Sequence, residues 1–269
     1  MHPVSLHASD LGIAALLVLL NAAISLALDL RLHRGILWSA LRMVMQLLLV
    51  GLVLRTVFAL ASPAATAGIG MLMLAATARE VAIRPSHALR GMAAYRLAAV
   101  VVATASVMTA LLALLTAIRP DPWYEARYAL PILGIVLGSV LTSASLSLDT
   151  FLSTVVRDRR EIEARLALGE TIRHALTGPL RTGIRRGLIP VTNQMAAAGI
   201  ITLPGTMTGQ ILAGMDPLEA VKYQILLLFL LAGASGLAAV GAVWLASRAV
   251  TDARQRLRVD RIIHHAADG

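Results

Sequence analysis

Long apolar stretches, separated by short segments that carry arginine, set the plan of this chain. A helix needs about 20 mostly apolar residues to cross a hydrocarbon core of roughly 30 Å. Seven stretches meet that description: 9–28, 36–60, 64–78, 92–118, 129–149, 188–213 and 221–247. The third does so only by extending into its flanks. The pattern predicts an all-α polytopic membrane protein, one transmembrane domain over residues 1–269 with seven helices. The first stretch, Leu11 to Leu28, is longer than the apolar part of a signal peptide, and Arg31 and Arg34 follow it instead of preceding it. It therefore reads as a retained span.

Charge gives these spans a direction. Arg31 and Arg34 lie in 29–35, and Arg79, Arg84 and Arg90 in 79–91. Arg157, Arg159, Arg160, Arg165, Arg173, Arg181, Arg185 and Arg186 lie in 150–187, and Arg254, Arg256, Arg258 and Arg261 in the tail. The alternate segments are poor in basic residues. The positive-inside bias then predicts an external N-terminus and a cytoplasmic C-terminus. Trp38, Tyr95 and Trp244 near one set of boundaries, and Trp123, Tyr124, Tyr128 and Tyr223 near the other, suit the headgroup level.

Composition closes off other classes. The chain is 58% hydrophobic and 14% charged, against about 25% charged for soluble domains, so a water-soluble fold is excluded. The net charge of +9 belongs to cytoplasmic loops and does not point to nucleic acid. There is no cysteine, so disulfides, thiolate metal sites and cysteine nucleophiles are absent. Lys222, the sole lysine, follows Val221, so no phosphate-binding G-x-x-x-x-G-K-[ST] loop exists and the chain cannot bind ATP through one. No catalytic signature is present, and no enzyme is expected in this chain. His2, His7, His33, His87, His174, His264 and His265 fall between spans or in the tails. His264-His265 reads as a polar tail before it reads as a metal pair.

The long basic segment 150–187 predicts a helix over 155–168, with Val155, Ile162 and Leu166 on one apolar stripe and a Glu161–Arg165 pair one turn apart. Gly169 supplies a stop, and Thr171 a cap for a second helix. Within it, Glu163 to Gly169 reads EARLALG, which resembles the E-A-A-x-x-x-G loop of ABC transporter permeases. It departs from that pattern at Arg165, where Ala is usual. Leu188-Ile189-Pro190 comes later than the usual I-x-L-P continuation.

The run from Gly187 to Ile225, GLIPVTNQMAAAGIITLPGTMTGQILAGMDPLEAVKYQI, and the span from Leu37 to Leu54 with Arg42, Gln46 and Gly51, resemble the FetB-type permeases. These form an ABC family associated with iron export, with plant relatives associated with aluminium tolerance. One departure is Gly138-Ser139, where Gly-Asn is expected. The resemblance implies a homodimeric inner (plasma) membrane permease worked by two copies of a separate ABC ATPase, with a metal ion, iron by implication, as cargo. It implies ATPase coupling by Glu163, Ala164, Arg165, Gly169, Glu170 and Thr171. An ATP-independent secondary transporter or channel, an ABC permease for another small substrate, and a membrane scaffold stand as alternatives.

The sixth stretch is unusual. Pro190, Pro204, Gly199, Gly205, Gly209 and Gly214 punctuate it, and Leu203-Pro204-Gly205 predicts a broken helix. A break at membrane depth is tolerated against protein or a water-filled cavity. Asn193, Gln194, Thr202, Thr206, Thr208 and Gln210 surround it, so the segment is a candidate pathway lining or hinge, with close helix packing as the other reading. Arg42 and Gln46 share a helix face, Arg42 near enough to the interface to snorkel. Asp149, at a boundary, reads as hydrated or paired with an arginine. Gly134, Gly138, Ser139, Ser143 and Ser147 form a small-residue row that predicts a tight helix contact, the dimer seam being one option. No metal-ligand cluster is evident, so a hard cation would rely on carbonyl, hydroxyl and amide oxygens.

Overall fold

The computed structural model describes residues 8–60, 62–252 and 254–264. His2, His7 and His265 lie outside them. Six of the seven stretches are helices long and apolar enough to cross a membrane. They are α1 (Ala8–Ala27), α2 (His33–Leu60), α3 (Pro63–Ile83), α4 (Met92–Leu112, continued by a π-helical turn to Ile118), α5 (Ala126–Arg157) and α10 (Pro217–Ala249). The third therefore gains its length at its C-terminal flank, and α5 runs eight residues past the expected end at 149. α10 starts on a sequence-specified cap: Asp216 accepts from the N–H groups of Leu218 (2.9 Å) and Glu219 (3.3 Å), with Pro217 in the first turn.

α4, α5 and α10 form the centre, with α3 on α4 and α5, and α8 (Thr177–Ala197) on α5 and α10. α1 and α2 make a hairpin at the side, with little buried surface. Lipid tails provide no hydrophobic drive between helices, so association depends on van der Waals contact and small residues that allow close approach. α10 supplies them once per turn: Ala234, Ala238, Ala242 and Ala246 are completely buried.

The closest approach joins α5 and α8. A Cβ on Gly187 would overlap the Ser147 hydroxyl and lie 2.8 Å from the Ser143 carbonyl oxygen. On Gly183 it would stand 3.0 Å from the Ser147 carbonyl oxygen. The serine row is thus used inside the chain: Ser143 and Ser147 meet α8, and Ser139 Oγ lies 2.7 Å from Ser235 Oγ of α10. This corrects the option of a dimer seam there. Gly134 of the same row faces Met73 of α3.

The sixth stretch, 188–213, is not one span. α8 begins back at Thr177, so Arg181, Arg185 and Arg186 lie on a helix and not in a loop, and it ends at Ala197. A short helix, α9 (Gly205–Leu212), follows. The break comes earlier than Leu203-Pro204-Gly205: Gly199 adopts φ +87°, which its lack of a Cβ allows. The N–H groups of Ile201 and Thr202 both return to the Ala197 carbonyl (3.0 Å each). Pro204 then caps α9, where its missing donor costs nothing.

Two strands depart from the all-α expectation. β1 (His87–Leu89) pairs antiparallel with β2 (Ile262–His264), His87 opposite His264, with ring centroids 4.7 Å apart. The tail is therefore docked through residues 262–264, and His264 is not part of a free polar end. His33 also departs from the loop reading by opening α2.

Substituting Gly187 with Ala is expected to cost about 1–3 kcal/mol by overpacking. Gly138→Ala, with open space at its Cβ position, is expected to be near neutral. Thermal unfolding of the detergent-solubilised protein, followed by size-exclusion chromatography, checks the pair.

Candidate functional site

The end of the bundle that bears the basic segment is built on a continuous rod. α5 leads through Asp158 into α6 (Arg159–Ala167), and α7 (Ile172–Ala175) leads through Leu176 into α8. The helix–turn–helix expectation holds, although α6 starts later than 155 because α5 itself continues to Arg157. The predicted stripe is real: Val155 and Ile162 are buried, and Leu166 packs beside them. Arg157 donates hydrogen bonds to both Asp158 oxygens (2.7 and 3.1 Å), which holds that carboxyl below the ordinary range.

The turn after α6 is closed twice. The Gly169 N–H donates to the Leu166 carbonyl (3.0 Å) and the Glu170 N–H to the Arg165 carbonyl (3.1 Å), the paired bonds that end a helix on a left-handed residue. Gly169, at φ +90°, supplies that conformation. Arg165 Nε then donates to Glu170 Oε2 (3.1 Å) across the same turn. Arg165 pairs with Glu170 and not with Glu161, because the turn brings residue 170 back over the last helical turn. The position where the sequence departs from E-A-A thus has a structural use. Glu163 accepts from Arg159 (2.8 Å), and Ala164 is exposed. Thr171 takes the cap position, but its side chain makes no capping bond. The first α7 donor, the Ile172 N–H, goes to Gln255 Oε1 of the tail (3.3 Å). At the tip, Leu168 is 87% exposed, a large apolar side chain held forward by the closed turn.

The docked tail ties this end together. Arg261 donates to the Ala249 carbonyl (2.8 Å) and accepts from the Arg90 N–H (2.7 Å). Asp149 accepts from Ser86 Oγ (2.6 Å) and the Ser86 N–H (2.8 Å), so it anchors the α3–α4 connection instead of an arginine. Arg258 holds the Asp260 carboxyl down at about 2 by hydrogen bonds of 2.8 Å.

The residues predicted for the pathway fall into two groups. Arg42 of α2 is not a lone snorkelling cation: it lies 3.5 Å from Glu80 of α3, which also meets Arg84 (3.1 Å) and Arg79 (3.6 Å). Gln46 is exposed on α2, whose main contacts run to α1, α3 and α5. Asn193, Gln194, Thr202, Pro204, Gly205, Thr206, Gly209 and Gln210 follow α8, the break and α9. No hydrogen bond or ion pair joins the two groups among the described residues. Gln194 lines a cavity of about 270 Å³ with Ser139, Thr142 and Ser143 of α5. Thr206 donates to Gln224 Oε1 of α10 (2.5 Å), which pins α9 to the bundle through a buried amide. Ile200 and Ile201, 93% and 79% exposed, project from the break. Among the described residues, no group of three or more His, Cys, Asp or Glu is arranged to hold a metal ion.

Sequence reasoning missed Leu168, Gln255, Gln224 and Glu80. Leu168 carries a readable signal, a large apolar residue next to a helix-stopping glycine. The other three act through partners far away in the chain.

The model of the uncharacterised protein family UPF0014 matches residues 8–251, nearly the whole chain. The chain belongs to UPF0014. A UPF0014 membrane protein of Synechocystis, slr1647, is 39% identical over 85% of this chain and 87% of its own length. The probable iron export permease protein FetB of Escherichia coli K12 is 29% identical over 94% and 95%. The UPF0014 membrane protein STAR2 of rice is 31% identical over 86% and 79%. No solved structure matches. With these relatives and six apolar helices, this UPF0014 chain is a multi-pass membrane protein.

Replacing Gly169 with Ala would add about 1–2 kcal/mol of left-handed backbone strain to the turn. Hydrogen–deuterium exchange is expected to rise over 163–171 and to stay unchanged along α5.

Proposed function

We propose that this chain is the membrane-spanning permease subunit of an ABC transporter that exports a metal ion, iron being implied by its resemblance to FetB-type permeases. It works as a homodimer in the inner (plasma) membrane. It binds no cofactor of its own, because ATP and Mg belong to a separate ATPase subunit. The N-terminus lies outside and the C-terminus in the cytoplasm, with α8, the break and α9 as the seventh, interrupted crossing.

One observation carries this reading: the α6–turn–α7 unit around Glu163 to Thr171 presents a locked tip with an exposed leucine, and is joined by single residues to α5 and α8. A groove on a partner can take Leu168 and the exposed Ala164 face, while the Arg165–Glu170 pair keeps the tip from collapsing. Force applied there acts on two packed helices at once. ATP-driven closure of the ATPase pair then shifts the permease between inward- and outward-facing states. The full-length similarity to a relative named a probable iron export permease supports the same reading.

Affinity purification of the chain from its native membrane is expected to recover an ATP-binding-cassette protein. With both proteins in liposomes, metal export should require ATP. Leu168→Arg or Glu163→Ala should lower it by about tenfold, the effect of losing roughly 1.4 kcal/mol of coupling. Undiminished flux with the ATPase omitted would identify an ATP-independent transporter instead.

A further inference from the structure

One face of α8 carries charge that nothing among the described residues answers. Arg181, Arg185 and Arg186 line a single groove of about 800 Å³ with Thr182, Thr192 and Asn193. None of the three guanidiniums makes a hydrogen bond or ion pair among the described residues. Four carboxylates at that end of the bundle are held by other groups: Asp149 by Ser86, Asp158 by Arg157, Glu163 by Arg159 and Glu170 by Arg165.

This face cannot roll away. Gly183 and Gly187, on the side of α8 away from Arg181 and Arg185, are pressed against Ser143, Ser147 and Phe151 of α5. The same contact fixes the height of the arginines: Arg185 and Arg186 stand near Ser147, two residues inside the end of the apolar stretch 129–149, and Arg181, two residues before Gly183, lies nearer the Arg157 end of α5. From that level the exposed guanidiniums reach the membrane–water interface, where an anion can meet them.

We infer that the α8 groove binds an anion bearing phosphate or carboxylate groups. The cargo is then an anion, or a metal ion carried as its anionic complex, and not a bare cation. Guanidinium forks match the paired oxygens of these groups, and the Asn193 amide adds a neutral donor, the Thr182 and Thr192 hydroxyls being spent on the Gly178 and Leu188 carbonyls. An uncomplexed multivalent cation would meet three uncompensated positive charges. The inference rests on the transport reading above and specifies its substrate class.

The test uses the full chain in phosphatidylcholine nanodiscs, titrated calorimetrically with citrate, with pyrophosphate and with magnesium chloride. Both anions are expected to bind and magnesium alone to give no signal, with anion affinity falling as salt rises. The double substitution Arg185→Gln/Arg186→Gln should weaken binding by about tenfold or more, whereas Arg185→Lys/Arg186→Lys should retain most of it, since one charge-assisted contact is worth about that factor. In a second arm, phosphatidylglycerol nanodiscs should leave citrate and pyrophosphate binding in place. Displacement by that lipid would make a headgroup the ligand and overturn the inference. So would no anion binding in phosphatidylcholine, or equal binding by the Gln variant. Absent ATP-driven transport with anion binding intact would overturn the transporter reading and leave this site standing.

Discussion

Gly183 and Gly187 bring α8 so close to α5 that a serine hydroxyl and two backbone carbonyls occupy the space a Cβ would need. The rest of α8 takes its orientation from this contact. Its arginines are turned outward because its glycines are turned inward. Gln194, farther along, is directed to the cavity beside Ser139 and Thr142. In a bilayer, where apolar surface gains nothing by leaving lipid for protein, steric fit of this kind is the main source of specificity between helices.

The seam also explains why the basic end of the bundle behaves as one body. α5 and α8 are the helices that enter and leave the α6–α7 unit, and each connection is a single residue. The joint at Asp158 is stiffened by Arg157, and the turn at Gly169 by the Arg165–Glu170 pair. The far end of α8 is built differently. Past Ala197 the chain leaves the helix, closes a small loop on one carbonyl and restarts at Gly205, pinned by Thr206 to Gln224. The two ends of α8 thus differ: one is closed by short joints, the other is held through a single buried amide.

Much of this was legible in the sequence, for identifiable reasons. Apolar runs of the right length leave a strong mark, and six of the seven expected stretches are continuous helices. Gly169 and the Val155–Ile162–Leu166 stripe foretold the helix–turn–helix because both signals are local. Pro204 foretold a break, although Gly199 started it sooner. The sequence did not reveal pairings between distant residues: Asp149 with Ser86, Arg42 with Glu80, Thr206 with Gln224, Gln255 with Ile172. None of them has a periodicity. The place of the α8 arginines is not legible, because charge density marks a basic segment without showing which helix face packs, and the glycines that set them against α5 look unremarkable as letters.

The β1–β2 ribbon joins residues 87–89 to residues 262–264, with residues 90–261 between them. During synthesis the connection between α3 and α4 emerges before its strand partner, which follows only after residues 90–261. Non-local pairing of this kind forms late. The ribbon therefore works as a completion mark, closing once the intervening helices have been inserted in register.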